Sequence, residues 1–304
     1  MTRPSLSIGL PNYGAFLATG EWHRFVDLAR AADDAGVDRI VVVDHVVMGE
    51  HTDAYAWGRF PTPPDAPWLE PLTVLAACAS VTRRVRLATG VVIAPLRPAA
   101  LLAKQAATLD VLSQGRLDLG VGAGWQREEY EAEGLDFDRR GALLTDTLAA
   151  MQALWRDTPA DFAGETLSFE RIYCVPKPVQ DGGVPLWVAG TLNRRNLERV
   201  VRFASGWIPI MGETPAGIAQ GLATIGEALR AAGRDPGALR VQAPVRVERG
   251  DDGAPSVERS MESVPELVAA GVTDVNVPLA AFCRDPGQAP EALRRVVTAF
   301  AAVA

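Results

Sequence analysis

Three histidines occur in the chain, His23, His45 and His51, and His45 occupies the position best suited to chemistry. It follows the apolar run Ile40 to Val43 and a carboxylate, Asp44, so it stands where a buried strand gives way to a loop. An imidazole at such a place takes or gives a proton near neutral pH, with Asp44 either orienting it or capping the next segment. A structural loop clamp is the alternative for the pair. His23, on a helix between Trp22 and Arg24, suits a surface or half-buried structural role. His51 together with His45, Asp44 and Asp53 invites a metal reading, but the spacing matches no helical ligand pair and the loop offers no further histidine or cysteine, so no metal is expected. Two short glycine loops complete the set. Gly122-Ala123-Gly124 follows the apolar run Leu117 to Val121, where small residues let a flat or phosphorylated ligand approach backbone N–H groups. Ala189-Gly190-Thr191 ends a strand and begins a helix, so its N–H groups and the helix dipole suit a phosphate, with Arg194 or Arg195 one turn on adding charge. Each loop has a structural alternative: a tight βα turn for the first, an N-cap with surface arginines for the second.

These residues need a scaffold that brings strand ends together. Val85 to Ile93 is β-branched and almost uncharged, as a strand buried on both faces should be. Leu101 to Leu112 has helical periodicity and stops at the turn Ser113-Gln114-Gly115, and Leu117 to Val121 returns as a strand, which makes a parallel βαβ unit. The rest of the chain repeats the alternation. Leu6 to Leu10, Arg39 to Val43, Pro185 to Ala189, Gly206 to Ile210, Leu239 to Val245 and Thr273 to Val277 read as strands. Glu21 to Ala35 closed by Gly36, Gly141 to Trp155, Asn193 to Ala204, Pro215 to Ala232, Val257 to Ala270 and Pro290 to Ala302 read as helices. Eight strands with interleaved helices predict an α/β protein, a (β/α)8 TIM barrel with insertions. The chain of 304 residues then forms one domain, since a barrel of ~250 residues plus insertions accounts for it. The insertions are Met48 to Leu69, rich in aromatics and proline and long enough for a lid or specificity wall, and a hairpin at Phe162 to Lys177.

The segments EPLTVLAACASVTRRVRLATGVVIAPLRPAALLAKQAATLDVLSQGRLDLGVGAGWQREEYEAEG, Glu70 to Gly134, and PLWVAGTLNRRNLERVVRFASGWIPI, Pro185 to Ile210, together with Asp44-His45, resemble the luciferase-like monooxygenase superfamily. That superfamily builds TIM barrels that use flavin or the deazaflavin coenzyme F420, and the chain is most similar to its F420-dependent oxidoreductases of actinobacteria. The resemblance implies a catalytic His45 near the reactive carbon of the coenzyme ring, with Asp44 beside it. It implies a bulge at Thr89-Gly90-Val91 with a non-prolyl cis peptide, which we place between Gly90 and Val91, under the ring. It assigns the ribityl and phosphate portions to Gly122, Ala123, Gly124 and Trp125 and to the loop Val188 to Thr191, with Ala189, Gly190, Thr191 and Arg195 as contacts. One departure stands out: where the best-known sugar-phosphate dehydrogenase of the family carries a catalytic glutamate, this chain has Trp125, with Glu128 and Glu129 the next carboxylates. A sugar-phosphate substrate is therefore not inferred. Trp125, Trp57, Tyr55, Phe60 and Trp68 suggest an aromatic-walled pocket, or equally lid packing.

The expected activity is hydride transfer between F420 and an organic small molecule. The runner-up is an FMN-dependent monooxygenase fed by a separate flavin reductase, and a third reading is a barrel that binds such a coenzyme without turning it over. The resemblance also implies a homodimer. A formal net charge of −7 argues against nonspecific nucleic-acid binding. The start of the chain has no long apolar core and no later stretch approaches ~18 uncharged apolar residues, so neither a leader nor a membrane span is expected and the protein is read as cytoplasmic. Cys78, Cys174 and Cys283 show no CxxC spacing and read as buried reduced thiols.

Overall fold

A computed structural model describes residues 3–17 and 20–304. Eight parallel strands close on themselves: β1 (Ser5–Gly9), β2 (Arg39–Val42), β3 (Arg86–Thr89, resuming at Val92–Ile93), β4 (Leu117–Gly122), β5 (Leu186–Ala189), β6 (Gly206–Ile208), β7 (Arg240–Pro244) and β8 (Asp274–Pro278). Each pairs with its neighbour in sequence, β1 also pairs β8, and β3 pairs β4, which completes the barrel. Helices follow the strands on the outside, among them Phe25–Ala35, Ala99–Leu112, Arg140–Arg156, Arg194–Phe203 and Ala289–Ala301. Every residue of β2 and β4 is buried, as expected where barrel filling covers one face of a strand and helices cover the other. Gly36, in the left-handed region at φ 87°, ends the first helix as expected. No helix among the described residues is long and apolar enough to cross a membrane. All three cysteines are buried and unpaired, and burial pushes the Cys78 thiol up to about 12.

The elements depart from expectation in two places, and strand β3 carries the expected bulge. Val257 to Ala270 is two helices, Val257–Met261 and Val264–Ala269, because Pro265 lacks the N–H that a continuous helix would use and its ring clashes one turn back. The inserted hairpin pairs Ala160–Ala163 with Ser168–Ile172, so it begins two residues earlier than Phe162 and ends before Lys177. Strand β3 is interrupted after Thr89. Ala88 pairs with Asp118 and Val92 with Val121, so four steps on β3 face three on β4, the signature of a bulge with one extra residue.

The floor of the barrel holds charge that the sequence pattern gave no reason to bury. Arg39 is only 2 % exposed at the start of β2, where its Nε donates to Asp118 Oδ2 at 3.0 Å and its Nη1 donates to Asp274. Its guanidinium lies 4.5 Å from the centre of the Trp187 ring. Arg86 reaches Asp118 from the side through two bonds of 2.6 and 2.9 Å, and Gln242 donates to Asp274 at 2.8 Å. Two carboxylates thus answer two guanidiniums. Burial alone pushes the Asp118 carboxyl up, but Arg39 and Arg86 outweigh it and hold it below the ordinary carboxylate range. The stability this pairing contributes is complete above the ordinary range, near pH 4, and is lost as the pH falls through the depressed value. Replacing Asp118 by Asn leaves Arg39 buried with half its partners and should cost about 3–5 kcal/mol at pH 7 in urea unfolding, with a shallower loss of stability on acidification than the parent chain shows.

Candidate active site

The carboxyl ends of β2, β3 and β4 meet at the barrel mouth, and the bulge in β3 decides what they present. The Gly90–Val91 peptide is cis, where the sequence placed it. Thr89 anchors the turn by donating from Oγ1 to the Gly120 carbonyl at 2.7 Å, and the Gly90 N–H donates to Val42 O at 2.7 Å. A Cβ on Gly120 would lie 1.9 Å from Thr89 O, so only glycine fits there. A Cβ on Gly122 would come within 2.9 Å of Val91, and one on Gly124, whose φ is +68°, within 2.8 Å of Ile93. The glycines in and just after β4 therefore first serve the bulge, a packing reason that comes before any ligand's approach. Ala123 accepts through its carbonyl from the buried Tyr130 hydroxyl.

Past the end of β2, Asp44 and His45 part company. Asp44 does not orient His45. Its carboxylate takes two bonds from Arg97, 2.6 Å at Oδ2 and 3.0 Å at Oδ1, and one of 2.8 Å from the Ile93 N–H just beyond the bulge. Arg97 continues to Glu70 Oε1 at 2.8 Å. Asp44 thus clamps β2 to β3, and the loop-clamp alternative describes it.

The carboxylate that holds His45 is Glu129. Its Oε2 lies 2.9 Å from His45 Nδ1, and its Oε1 accepts from the Val46 N–H at 3.0 Å. The side chains are 8 % and 1 % exposed, so the pair is dry. A carboxylate facing Nδ1 favours the tautomer with the proton there and leaves Nε2 as the acceptor. Around the ring stand Trp68, Phe60 and Trp125, edge-on at 4.7, 5.4 and 5.9 Å between centres. Tyr55 joins them, 5.2 Å from Trp125 and 5.3 Å from both Phe60 and Trp57. The five aromatics expected as a wall are one cluster over His45.

The lid that carries four of them is pinned at both ends. Gly49 N–H donates to Gln126 Oε1 at 2.9 Å, with the Gln126 amide returning to Gly49 O at 3.3 Å. Leu69 N–H donates to Asn12 O at 2.9 Å, and the Asn12 amide bonds both Leu69 O and Val43 O. Across the mouth, the Tyr55 hydroxyl meets Met211 Sδ at 3.6 Å. His51 stays on the exposed side, 3.9 Å from Glu128.

The second loop is less open than its sequence suggests. The Gly190 N–H donates to Ile208 O at 3.1 Å, and Asn193 caps the next helix by accepting from the Asn196 N–H at 3.0 Å. The N-cap alternative therefore describes the helix start, and Arg195 is on its exposed first turn.

The sequence pattern that defines the luciferase-like monooxygenases matches residues 8–292. The chain belongs to that family. An uncharacterised Mycobacterium tuberculosis relative is 36% identical over 188 residues, covering 59% of this chain and 65% of its own. The oxygenase component of a flavin-dependent trigonelline monooxygenase from Acinetobacter baylyi is 31% identical over 170 residues, 55% of this chain and 43% of that protein. The chain thus spans less than two thirds of the length of these relatives. In fold, an F420-dependent secondary alcohol dehydrogenase solved with an F420–acetone adduct superposes with a TM-score of 0.78 at 16% identity, over 98% of this chain and 99% of that one.

Against this luciferase-like frame, Glu129 is the site residue the sequence left unassigned. Glu128 and Glu129 are adjacent on the helix Arg127–Ala132, and successive helical residues point about 100° apart. One is therefore half exposed and the other buried against His45, a distinction no spacing rule supplied. Arg97, 53 positions from Asp44, left no local signal either. Ala in place of Gly120 should destabilise the barrel by about 3 kcal/mol, the upper end of overpacking costs, in urea unfolding.

Proposed function

We propose that this luciferase-like protein is an F420-dependent oxidoreductase, moving a hydride between the deazaflavin and an organic small molecule. The observation that carries the reading is the buried His45–Glu129 pair at the barrel mouth, beside the β3 bulge. Bound there, the deazaflavin would supply two-electron hydride chemistry with poor oxygen reactivity, and the protein would position the partners and manage one proton.

The mouth suits such a group. Trp68 Nε1 and Asn276 Oδ1 are buried without hydrogen-bond partners among the described residues, and a heterocycle edged with carbonyl and N–H groups offers an acceptor and a donor. Aromatic walls complement its flat faces. Thr89, Gly90 and Val91 are proposed to back the ring, Gly122 to Trp125 and Ala189 to Thr191 to line its ribityl chain. His45 Nε2 holds or releases the proton, Glu129 fixes the imidazole and balances its charge, and the lid excludes water. Asp44 acts through β3 as a positioning residue.

The FMN monooxygenase reading is favoured by one observation, the trigonelline monooxygenase relative. Side-by-side fluorescence titration with F420 and FMN separates the two. A preference for F420 of about tenfold or more, roughly 1.4 kcal/mol, is expected; a preference for FMN moves the chemistry to oxygen and a reductase partner.

Turnover should vanish in His45→Ala with coenzyme affinity nearly unchanged, whereas a barrel that only binds would show no His45-dependent rate. Glu129→Gln, which keeps the shape and removes the charge, is expected to lower kcat about 10²-fold and to displace the acid limb of the pH–rate profile. An unmoved profile would assign Glu129 a structural role alone.

A further inference from the structure

The rings over His45 converge on one of their number, Phe60. Its centre lies 5.4 Å from that of His45, 5.3 Å from Tyr55 and 5.2 Å from Trp125, and it is stacked on Trp68 at 6.1 Å. Edge-on rings at such spacings are in contact, and a flat group slipped between two stacked rings needs about 7 Å, twice an ordinary contact distance. None of these gaps admits one. With Glu129 on Nδ1 and three rings around it, His45 is sealed, so a substrate that reaches Nε2 has to displace a ring.

The rings differ in what holds them. Trp68 stacks on Tyr13 at 4.4 Å, the two residues pair through their backbones, and the next residue, Leu69, donates to Asn12 O. Trp125 stands between Gly124, which is packed on Ile93, and Gln126, which is bonded to Gly49. Tyr55 has its N–H on Thr52 O and its hydroxyl on Met211 Sδ. Phe60 has no such tie. It is 8 % exposed on a stretch whose neighbouring residues, Trp57, Gly58, Arg59 and Pro61, are exposed. Among the described residues, positions 56–65 make no backbone hydrogen bond outside the lid, and Thr62 Oγ1 is buried without a partner. Side-chain packing alone holds the ring down. A stretch held in that way opens at lower cost than one with backbone pairing, and opening gives the Thr62 hydroxyl to water.

We propose that Phe60 is a gate and specificity residue whose ring stands in the place of a flat apolar group of the substrate. Residues 56–65 swing out, and that group takes the vacated space above His45, against Trp68 and Trp125. The substrate class is then a small molecule bearing a flat apolar group about the size of a phenyl ring. The inference rests on the F420 reading for the reaction, whereas the exchange of one ring for another needs no coenzyme.

The test uses 1-phenylethanol as the probe and the tryptophan emission of the full chain as the signal, in the parent, Phe60→Ala and Phe60→Leu, by titration and stopped flow without coenzyme. In the parent the observed binding rate should level off with rising probe, at the rate of opening. In Phe60→Ala it should rise in proportion to the probe and Kd should fall about tenfold or more, with Phe60→Leu between, and the imidazole NMR signals of His45 should move in all three. An equal or higher Kd in the variants makes Phe60 a fixed wall and overturns the proposal. So do binding by the variants alone, which marks a cavity made by the substitution, binding that leaves the His45 signals in place, and no binding to any of the three. A parallel F420 titration keeps the two readings apart: F420 bound without this pattern leaves the coenzyme reading standing and removes the gate, and the pattern without F420 binding keeps the gate and removes that coenzyme.

Discussion

Where strand β3 bulges against β4, the Thr89 carbonyl occupies the space a side chain would take at Gly120, an approach that only glycine permits. From that close approach the geometry of the mouth follows in order. The chain takes up one extra residue at the bulge, Val91 moves into the space left by Gly122, and Ile93 into that left by Gly124. Ile93 then presents its N–H to Asp44, and Arg97, five residues past the bulge, closes on the same carboxylate. With Asp44 held in that way, His45 is the residue that faces the mouth, and Glu129 comes in from the helix after β4 to meet it.

Strand β2 carries the contrast between the two ends of the barrel. Arg39 opens it inside a balanced cluster of guanidiniums and carboxylates, four apolar residues follow, and Asp44 and His45 close it. At the floor Arg39 and Arg86 are paired with carboxylates and the arrangement joins β2, β3, β4 and β8. At the mouth one carboxylate, Asp44, is bound by a guanidinium, while the other, Glu129, is bound by a group whose charge can change.

The barrel was legible because parallel strands buried on both faces leave continuous β-branched runs, and because helices between them keep a separate period. The bulge was legible because Gly90 and the glycines after β4 fall inside a long segment shared with a known family. Asp44-His45 could be placed at a strand end, yet the partners of both residues could not. Glu129 and Arg97 lie 84 and 53 positions away from them, and such pairings are decided by how strands close into a barrel, not by any local pattern. Arg39 was missed for a similar reason: a charge at a strand's edge reads as solvated until two carboxylates from other strands are known to meet it. In the second loop, Ile208, a neighbour across the sheet, takes the Gly190 amide, which sequence inspection has no means of seeing.

Because Gln126 grips the lid at Gly49 and Asn12 grips it at Leu69, the segment between them is a cassette with fixed ends. Its rings shape the space above His45, but the contacts that hold His45 and Glu129 lie outside it. Insertions and exchanges within residues 50–68 can then remodel the space above His45 while the bonds of the His45–Glu129 pair keep their place. Such an arrangement separates the stretch that shapes the space above His45 from the bonds that fix His45 and Glu129, so one can change in length or side chains without the other.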